Sequence, residues 1–428
     1  MGLIASTVPI VPPNHAPTWP TTPAINTWQA GVGGTYDASV HANDSDGDAL
    51  TFAWDATSTA LPTGVTIASN GTLTATSSLA AGTTTNVRVT ADDGTASPVA
   101  SPNFSITVPS TSSKRWSPGH YLRTQGKHEQ TDQVAYEDQV VAKIIDEGTD
   151  SPMKGSMVIM AWGAINTTGS TMSWSMLDNI MSILASQGQR LILQVSYKAF
   201  TSAGIGVLVP TDLISQADGN SRGWWGGVHR TATMTRFIAC MDAIAARYDN
   251  NPTLEMVCTA ESSPSFQGAQ PGDYNVPDYV VELKRLYSAM ATAFVKTNVM
   301  PMINSLSDSE IELAEYCYGL GIGIGGPDAR DNVVMWPIWE GSETGSVRDY
   351  RGQLPHLLSA SNSSLTNAGV PSLAGLIDIC QTAETTHLAW IPGTNKVPNK
   401  TWADILVAID NDPGLHTVCP TQYGSCEV

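Results

Sequence analysis

The chain has 428 residues and a formal net charge of −18, with only 14% of its residues charged. That balance is wrong for gripping a phosphate backbone, which needs clustered Lys and Arg, and no apolar run approaches the ~20 residues of a membrane span. The length suits about two domains, with enough residues for a real core. Residues 1–16 read as an extended, Pro-rich segment. From 17 to 109 Thr, Ser, Ala, Gly and Pro dominate, and short alternating runs predict strands at Thr35–Val40, Leu50–Trp54, Thr72–Ala75, Asn86–Thr90 and Phe104–Val108. Turn clusters separate these runs at the spacing of a small antiparallel sandwich. Residues 110–114 then read as a linker.

The texture changes from residue 115 to 428. Apolar strand candidates follow at His120–Gln125, Met157–Trp162, Arg190–Tyr197, Leu254–Glu261, Val299–Asn304, Gly321–Gly326, Leu354–Ala360 and His387–Ile391. Stretches of helical period lie between most of them: Asp132–Glu147, Met172–Gln187, Met234–Tyr248, Tyr279–Thr297, Ser309–Leu320 and Leu373–Thr382. Alternating strands and helices call for a parallel sheet. Such a series over roughly 300 residues predicts an α/β TIM (β/α)8 barrel, with a doubly wound open sheet as the alternative. The seventh strand is the least regular, because Leu354-Pro-His-Leu-Leu358 is short and contains a proline.

The segment Leu254-Glu-Met-Val-Cys-Thr-Ala-Glu-Ser-Ser263 concentrates the chemistry. A helix, the turn Asp249-Asn-Asn-Pro252, a buried strand and then Glu261 at the strand's C-terminal end form a β/α unit carrying an acid at the face where such barrels do their chemistry. The other reading of Glu261 is a strand-end acid paired with an arginine for structure.

Two family resemblances follow from short motifs. Asn43-Asp-Ser-Asp-Gly-Asp-Ala-Leu-Thr-Phe52, with Leu61-Pro-Thr-Gly-Val-Thr-Ile67 and Asn70-Gly-Thr-Leu73, resembles bacterial and phage immunoglobulin-like and cadherin-like modules. The barrel half resembles clan A glycoside hydrolases, which are retaining (β/α)8 glycosidases. Arg247-Tyr-Asp-Asn-Asn-Pro252 followed by Glu261 is similar to their fourth-strand segment, whose terminal glutamate is the acid/base. Trp116-Ser-Pro-Gly-His-Tyr121 looks like their first strand, Gly321-Ile-Gly-Ile-Gly-Gly-Pro-Asp328 like their glycine-rich sixth, and Leu388-Ala-Trp-Ile391 like the eighth, whose tryptophan floors the sugar site. The resemblance implies a carbohydrate-active protein, a glycoside hydrolase acting on a polysaccharide with Glu261 as general acid/base.

Two departures qualify that expectation. Ala260 stands where an asparagine usually precedes the glutamate, and Leu354–Asn362 offers no carboxylate where the strand-seven nucleophile belongs. Glycoside hydrolysis ordinarily needs two acids. Asp328, after the sixth-strand glycines, and Glu340, among the tryptophans of Met335-Trp-Pro-Ile-Trp-Glu340, are the replacement candidates. Each also reads as an ordinary turn or surface acid, and Glu384 belongs to the opposite face. His120, Tyr121, Arg123 and Asn304 are candidate hydrogen-bond partners for a sugar; Trp224, Trp225, Trp390, Trp336 and Trp339 are candidate stacking surfaces. The alternative function is a non-catalytic phage tail, baseplate or receptor-binding protein that keeps the barrel for sugar recognition or as a scaffold.

No cofactor is implied. The cysteines at 240, 258, 317, 380, 419 and 426 include no CxxC pair, so zinc is not expected. Cys419 and Cys426 bracket a loop that a disulfide could close, although spacing alone cannot establish it. Asp44, Asp46 and Asp48 resemble a calcium loop without the glutamate an EF-hand needs, and a solvated turn is the plainer reading. Met1–Val11 is apolar with no Lys or Arg ahead of it, unlike a signal peptide. These features lean toward a virion tail protein, with an extracellular enzyme as the alternative. The expected partners are a polysaccharide or cell-surface glycan, other tail proteins or a second copy of the chain, with no nucleic acid.

Overall fold

The computed structural model describes residues 14–20, 28–29, 35–75, 82–108, 113–124, 128–150, 152–199, 205–220, 223–264, 270–304, 306, 309–326, 329, 350–360, 372–391, 401–411, 414–423 and 425–427. The chain divides into two compact units, Met1–Ser110 and Thr111–Val428.

The first unit is all β. Thr35–Asp37, Thr72–Ala75 and Val65–Ile67 form one antiparallel ladder, and Thr51–Trp54, Val89–Asp92 and Val99–Ala100 form another. Phe104–Val108 pairs antiparallel with Gly82–Val87 and parallel with Trp28–Gln29. Alternation turns Val65, Leu73, Ala75, Val87, Val89, Phe104 and Ile106 inward, where they form one core with Trp28 and Ala38. The run Asn86–Thr90 is two strands rather than one. Asn86 takes a positive φ of 59° at a register shift, a conformation asparagine tolerates better than most residues.

The second unit is a closed eight-stranded parallel barrel. Its staves are β1 (Gly119–Arg123), β2 (Gly155–Ala161), β3 (Arg190–Ser196), β4 (Leu254–Glu261), β5 (Asn298–Met302), β6 (Ile324–Gly326), β7 (His356–Ala360) and β8 (His387–Trp390), paired in sequence with β8 returning to β1. The surrounding helices among the described residues include α1 (Gln133–Lys143), α2 (Ser175–Ser186), α3 (Thr231–Tyr248), α4 (Val276–Ala293), α5 (Glu310–Leu320), α6 (Leu373–Thr382) and α7 (Trp402–Asn411). Three of them start on a capping side chain: Asp132, Asn275 and Ser372 each accept a backbone N–H from the first turn of α1, α4 and α6. The molecule is thus an all-β immunoglobulin-like domain followed by an α/β barrel. No helix among the described residues is long and apolar enough to cross a membrane.

Two apolar layers hold the barrel. The outer one joins strands to helices, with Val158, Leu193, Val257, Val299 and Leu388 packed against Leu177, Phe237, Leu283 and Leu376. The inner one is filled by Tyr121, Met157, Ile192, Met256, Cys258, Met300, Met302, Leu357 and Ala389. The sixth-strand glycines belong to this inner packing. A Cβ on Gly323 would stand 2.5 Å from Met300 Cε, and one on Gly325 would stand 2.5 Å from Met302 Sδ. They make room for methionine side chains that fill the barrel.

A C-terminal tail seals the N-terminal end of the barrel. Cys426–Glu427 pairs in parallel with Lys114–Arg115, and Trp116 Nε1 donates to Thr417 O at 2.8 Å. Residue 114, read from sequence as linker, therefore lies in a strand. Cys419 and Cys426 form a disulfide with a Cα separation of 6.0 Å, while Cys240, Cys258, Cys317 and Cys380 are buried thiols.

Candidate functional site

Glu261 sits at the C-terminal end of β4, and a bulge aims it. Cys258 faces Met300 and Glu261 faces Met302, so three steps along β4 match two along β5. Without the shift, alternation from Cys258 would put Ala260 on the inner face. Instead Ala260 packs in the outer layer and Glu261 turns inward. Thr259 supports the irregularity, since its Oγ1 accepts the Met302 N–H at 3.1 Å and donates to Ala260 O at 2.9 Å. Bulges beside functional sites commonly re-aim a side chain in this way.

The Glu261 carboxylate is held by two donors. Lys198 Nζ lies 3.1 Å from Oε2 and also donates to Ser263 O at 2.7 Å, and Asn304 Nδ2 donates to the same Oε2 at 3.3 Å. The Lys198 side chain is only 2% exposed against 18% for Glu261. Burial pulls the Lys198 ammonium below its usual range, and the Glu261 charge opposes that shift. Asn304 is itself pinned: its N–H donates to Ser262 Oγ at 2.7 Å, and that hydroxyl donates back to Asn304 O at 2.8 Å.

The loop after β3 positions Lys198. Lys198–Ala199 pairs with Gly223–Trp225, which pairs in turn with Asp218–Asn220. Trp225 is fully buried, stacked on His229 with centroids 4.9 Å apart. Arg230 then clamps two loops, reaching Asp218 at 3.0 Å and Asp273 at 2.7 Å. His128 Nε2 meets Lys198 O at 3.1 Å, and its Nδ1 lies 3.5 Å from buried Glu129.

The structure thus joins Glu261 to Asn304 and adds Lys198, which sequence reasoning missed because one lysine after an apolar strand carries no distinguishing pattern. Other candidates fall elsewhere. Trp390 is fully buried in the outer layer, donating to His120 Nδ1 at 2.9 Å, so neither lines the mouth. Alternation explains it: Ala389 faces inward, so Trp390 faces the helices. Tyr121 is inside the barrel but turned to its closed end, with its hydroxyl donating to Ser117 O at 2.6 Å. Arg123 ends β1 partly buried, close enough for its charge to act on the Cys258 thiol. Trp224 is half-buried against the core, its ring beside Gly219. Asp328, Glu340, Trp336 and Trp339 lie outside the described residues.

In the first unit, Asp44, Asp46 and Asp48 bring one carboxylate oxygen each within 4.8 Å of one another. The loop is organised by its own hydrogen bonds. Asp44 Oδ1 accepts the N–H of Asp46 at 2.9 Å and of Asp48 at 3.2 Å, and Asp46 binds His15 at 2.9 Å.

A family model described as a putative Ig domain matches residues 16–109. No curated protein matches the chain. Among solved structures, endo-glycoceramidase II from Rhodococcus sp., as a lactosyl-enzyme intermediate, is 12% identical over 69% of this chain and 80% of its own, with a TM-score of 0.46. The catalytic domain of β-amylase from Paenibacillus polymyxa is 8% identical over 71% of this chain and all of its own, with a TM-score of 0.44. The β-galactosidase of Marinomonas ef1 is 9% identical over 66% of this chain and 56% of its own, with a TM-score of 0.39. At such identities and scores the likeness transfers neither residues nor chemistry; what is established by family is the immunoglobulin-like domain at residues 16–109.

Proposed function

We propose that the open mouth of the barrel is a saccharide-recognition site and that the chain is a glycan-binding protein. One observation carries this reading. Glu261, at the face where (β/α)8 barrels bind their ligands, has a buried ammonium and an amide both donating to one of its oxygens. That arrangement presents the carboxylate as a hydrogen-bond acceptor at the mouth, the role a sugar hydroxyl needs. The strand-seven end contributes Ser359 and Ala360 where a nucleophilic acid would be needed for hydrolysis.

The second reading is glycoside hydrolysis, with Glu261 as acid/base and Asp328 or Glu340 as the second acid. The placement of Glu261 at the end of β4 favours it. A panel of bacterial and plant polysaccharides separates the two readings. Retention of a glycan without release of reducing ends, weakened in Glu261→Gln, is the expected result. Reducing ends released by the parent and lost by about a thousand-fold in Glu261→Gln would establish hydrolysis. No binding to any glycan would remove both.

A further inference from the structure

β3 carries two polar side chains on the inner face of the barrel, and each leads to one member of the ion pair at the mouth. Alternation places them there. Leu193 and Val195 pack in the outer layer and Ile192 in the inner one, so Gln194 and Ser196 share the face of Ile192. Each is only 5% exposed. Gln194 reaches β4, where its Nε2 donates to Thr259 O at 2.9 Å. The amide nitrogen must be the atom that faces Thr259, because a carbonyl oxygen only accepts.

That carbonyl sits where the β3–β4 ladder ends. β3 follows β2 in unbroken register up to the pair Ala161–Ser196, whereas its last register partner on β4 is Cys258, opposite Gln194. One residue later β4 enters the bulge that turns Glu261 inward. Thr259 is thus held by side-chain hydrogen bonds on both flanks: its hydroxyl accepts the Met302 N–H from β5, and its carbonyl accepts the Gln194 amide from β3. Removing the amide would leave a buried carbonyl without its donor, which is costly. Regular alternation, with Ala260 inward and Glu261 outward, is the arrangement that the bulge holds off. Ser196 serves the other member of the pair. Its Oγ donates to Lys198 O at 2.8 Å and accepts the Lys198 N–H at 3.2 Å, closing the turn from which the ammonium reaches Glu261.

We propose that Gln194 is the positioning residue of the mouth: by holding Thr259 O it keeps the β4 bulge in place and so aims the Glu261 carboxylate at Lys198, while Ser196 holds the lysine to meet it. Carboxylate and ammonium come from different elements, and one strand, itself kept straight by β2, sets both. Gln194 acts through Glu261, so the proposal concerns the ion pair and stands whether or not the mouth takes a glycan.

The Lys198 ammonium reports the aim, because the Glu261 charge opposes the effect of burial on it. Its titration can be followed by NMR of the full chain carrying 13C-labelled lysine, with the signal assigned by its absence from Lys198→Met. Glu261→Gln, which removes the charge in place, sets the scale, and there the Lys198 midpoint should fall by about one pH unit or more. Gln194→Met keeps the side chain's length and removes its donor, and the midpoint should fall by a comparable amount. An unchanged midpoint in Gln194→Met, beside a lowered one in Glu261→Gln, would overturn the proposal. So would a raised one, since mere loosening of the barrel lets water reach the ammonium and lifts it towards its ordinary value. If Gln194→Met does not fold, the parent protein decides. Its Gln194 side-chain amide protons should exchange with deuterated solvent at least about a hundred-fold more slowly than those of exposed Gln139. Exchange as fast as at Gln139 would show that the amide does not hold the bulge.

Discussion

Removing the carboxylate of Glu261 strips the Lys198 ammonium, 2% exposed, of its counter-ion. Truncating one partner of a buried pair costs about 3–5 kcal/mol, so Glu261→Ala should lose about 3 kcal/mol in urea unfolding, at the low end because the glutamate itself touches water. Lys198→Met should cost less, about 1–2 kcal/mol, because the remaining carboxylate keeps 18% of its surface exposed and the Asn304 amide beside it. The reverse order would contradict the account of which charge is trapped. Lys114 gives a second prediction. Its stem is partly exposed, but its ammonium is enclosed and donates to Phe294 O at 2.7 Å and Thr297 O at 3.1 Å, and burial pushes it down to about 8. A lysine whose folded value lies below its unfolded one binds protons more readily in the unfolded chain. Its contribution to stability therefore rises as pH climbs from about 8 towards the ordinary 10.5. Lys114→Met should flatten that rise by roughly 1–3 kcal/mol, read as the difference between the two proteins' unfolding free energies at pH 7.5 and pH 10.

The approach to β6 carries a prediction at the scale of the element. A Cβ on Gly323 would meet the Pro355 carbonyl oxygen at 2.8 Å as well as Met300, whereas the closest atom to one on Gly325 is the mobile sulfur of Met302. Backbone cannot step aside as a methionine can. Gly323→Ala should therefore cost about 2–3 kcal/mol and Gly325→Ala about 1 kcal/mol, and equal thermal shifts would show that the backbone yields there too. The staves and most helices were legible in the sequence because apolar runs and helical periods reflect burial, which the barrel imposes on every strand. Leu254–Glu261 reads from sequence with the bounds it has in the structure. What could not be read was direction. Trp390 and Glu261 both end their strands, yet one faces the helices and the other the mouth, because a bulge at Thr259 reverses the alternation in β4. The hairpin that carries Lys198 was also hidden, since Lys198–Ala199 and Gly223–Trp225 are too short to show a period. In the first unit, Val65–Ile67 and Val99–Ala100 escaped notice for the same reason.

For the molecule as a whole, the disulfide between Cys419 and Cys426 closes a short loop, seven residues apart in sequence. A loop of that size is worth about 2–3 kcal/mol, so Cys419→Ser should lower the barrel's unfolding free energy by that amount while the immunoglobulin-like unit melts unchanged. A shift confined to the first unit's transition would contradict this. The pairing of Lys114–Arg115 with Cys426–Glu427 has a different consequence. It makes the barrel's covalent path almost a ring, with its two ends hydrogen-bonded side by side. A ring has no preferred place to be cut. Bridging residue 427 to residue 113 with a few flexible residues, and opening the chain at the exposed hairpin tip beside Gly169, where a Cβ would meet nothing within 4 Å, should yield a circular permutant that rebuilds the same eight staves.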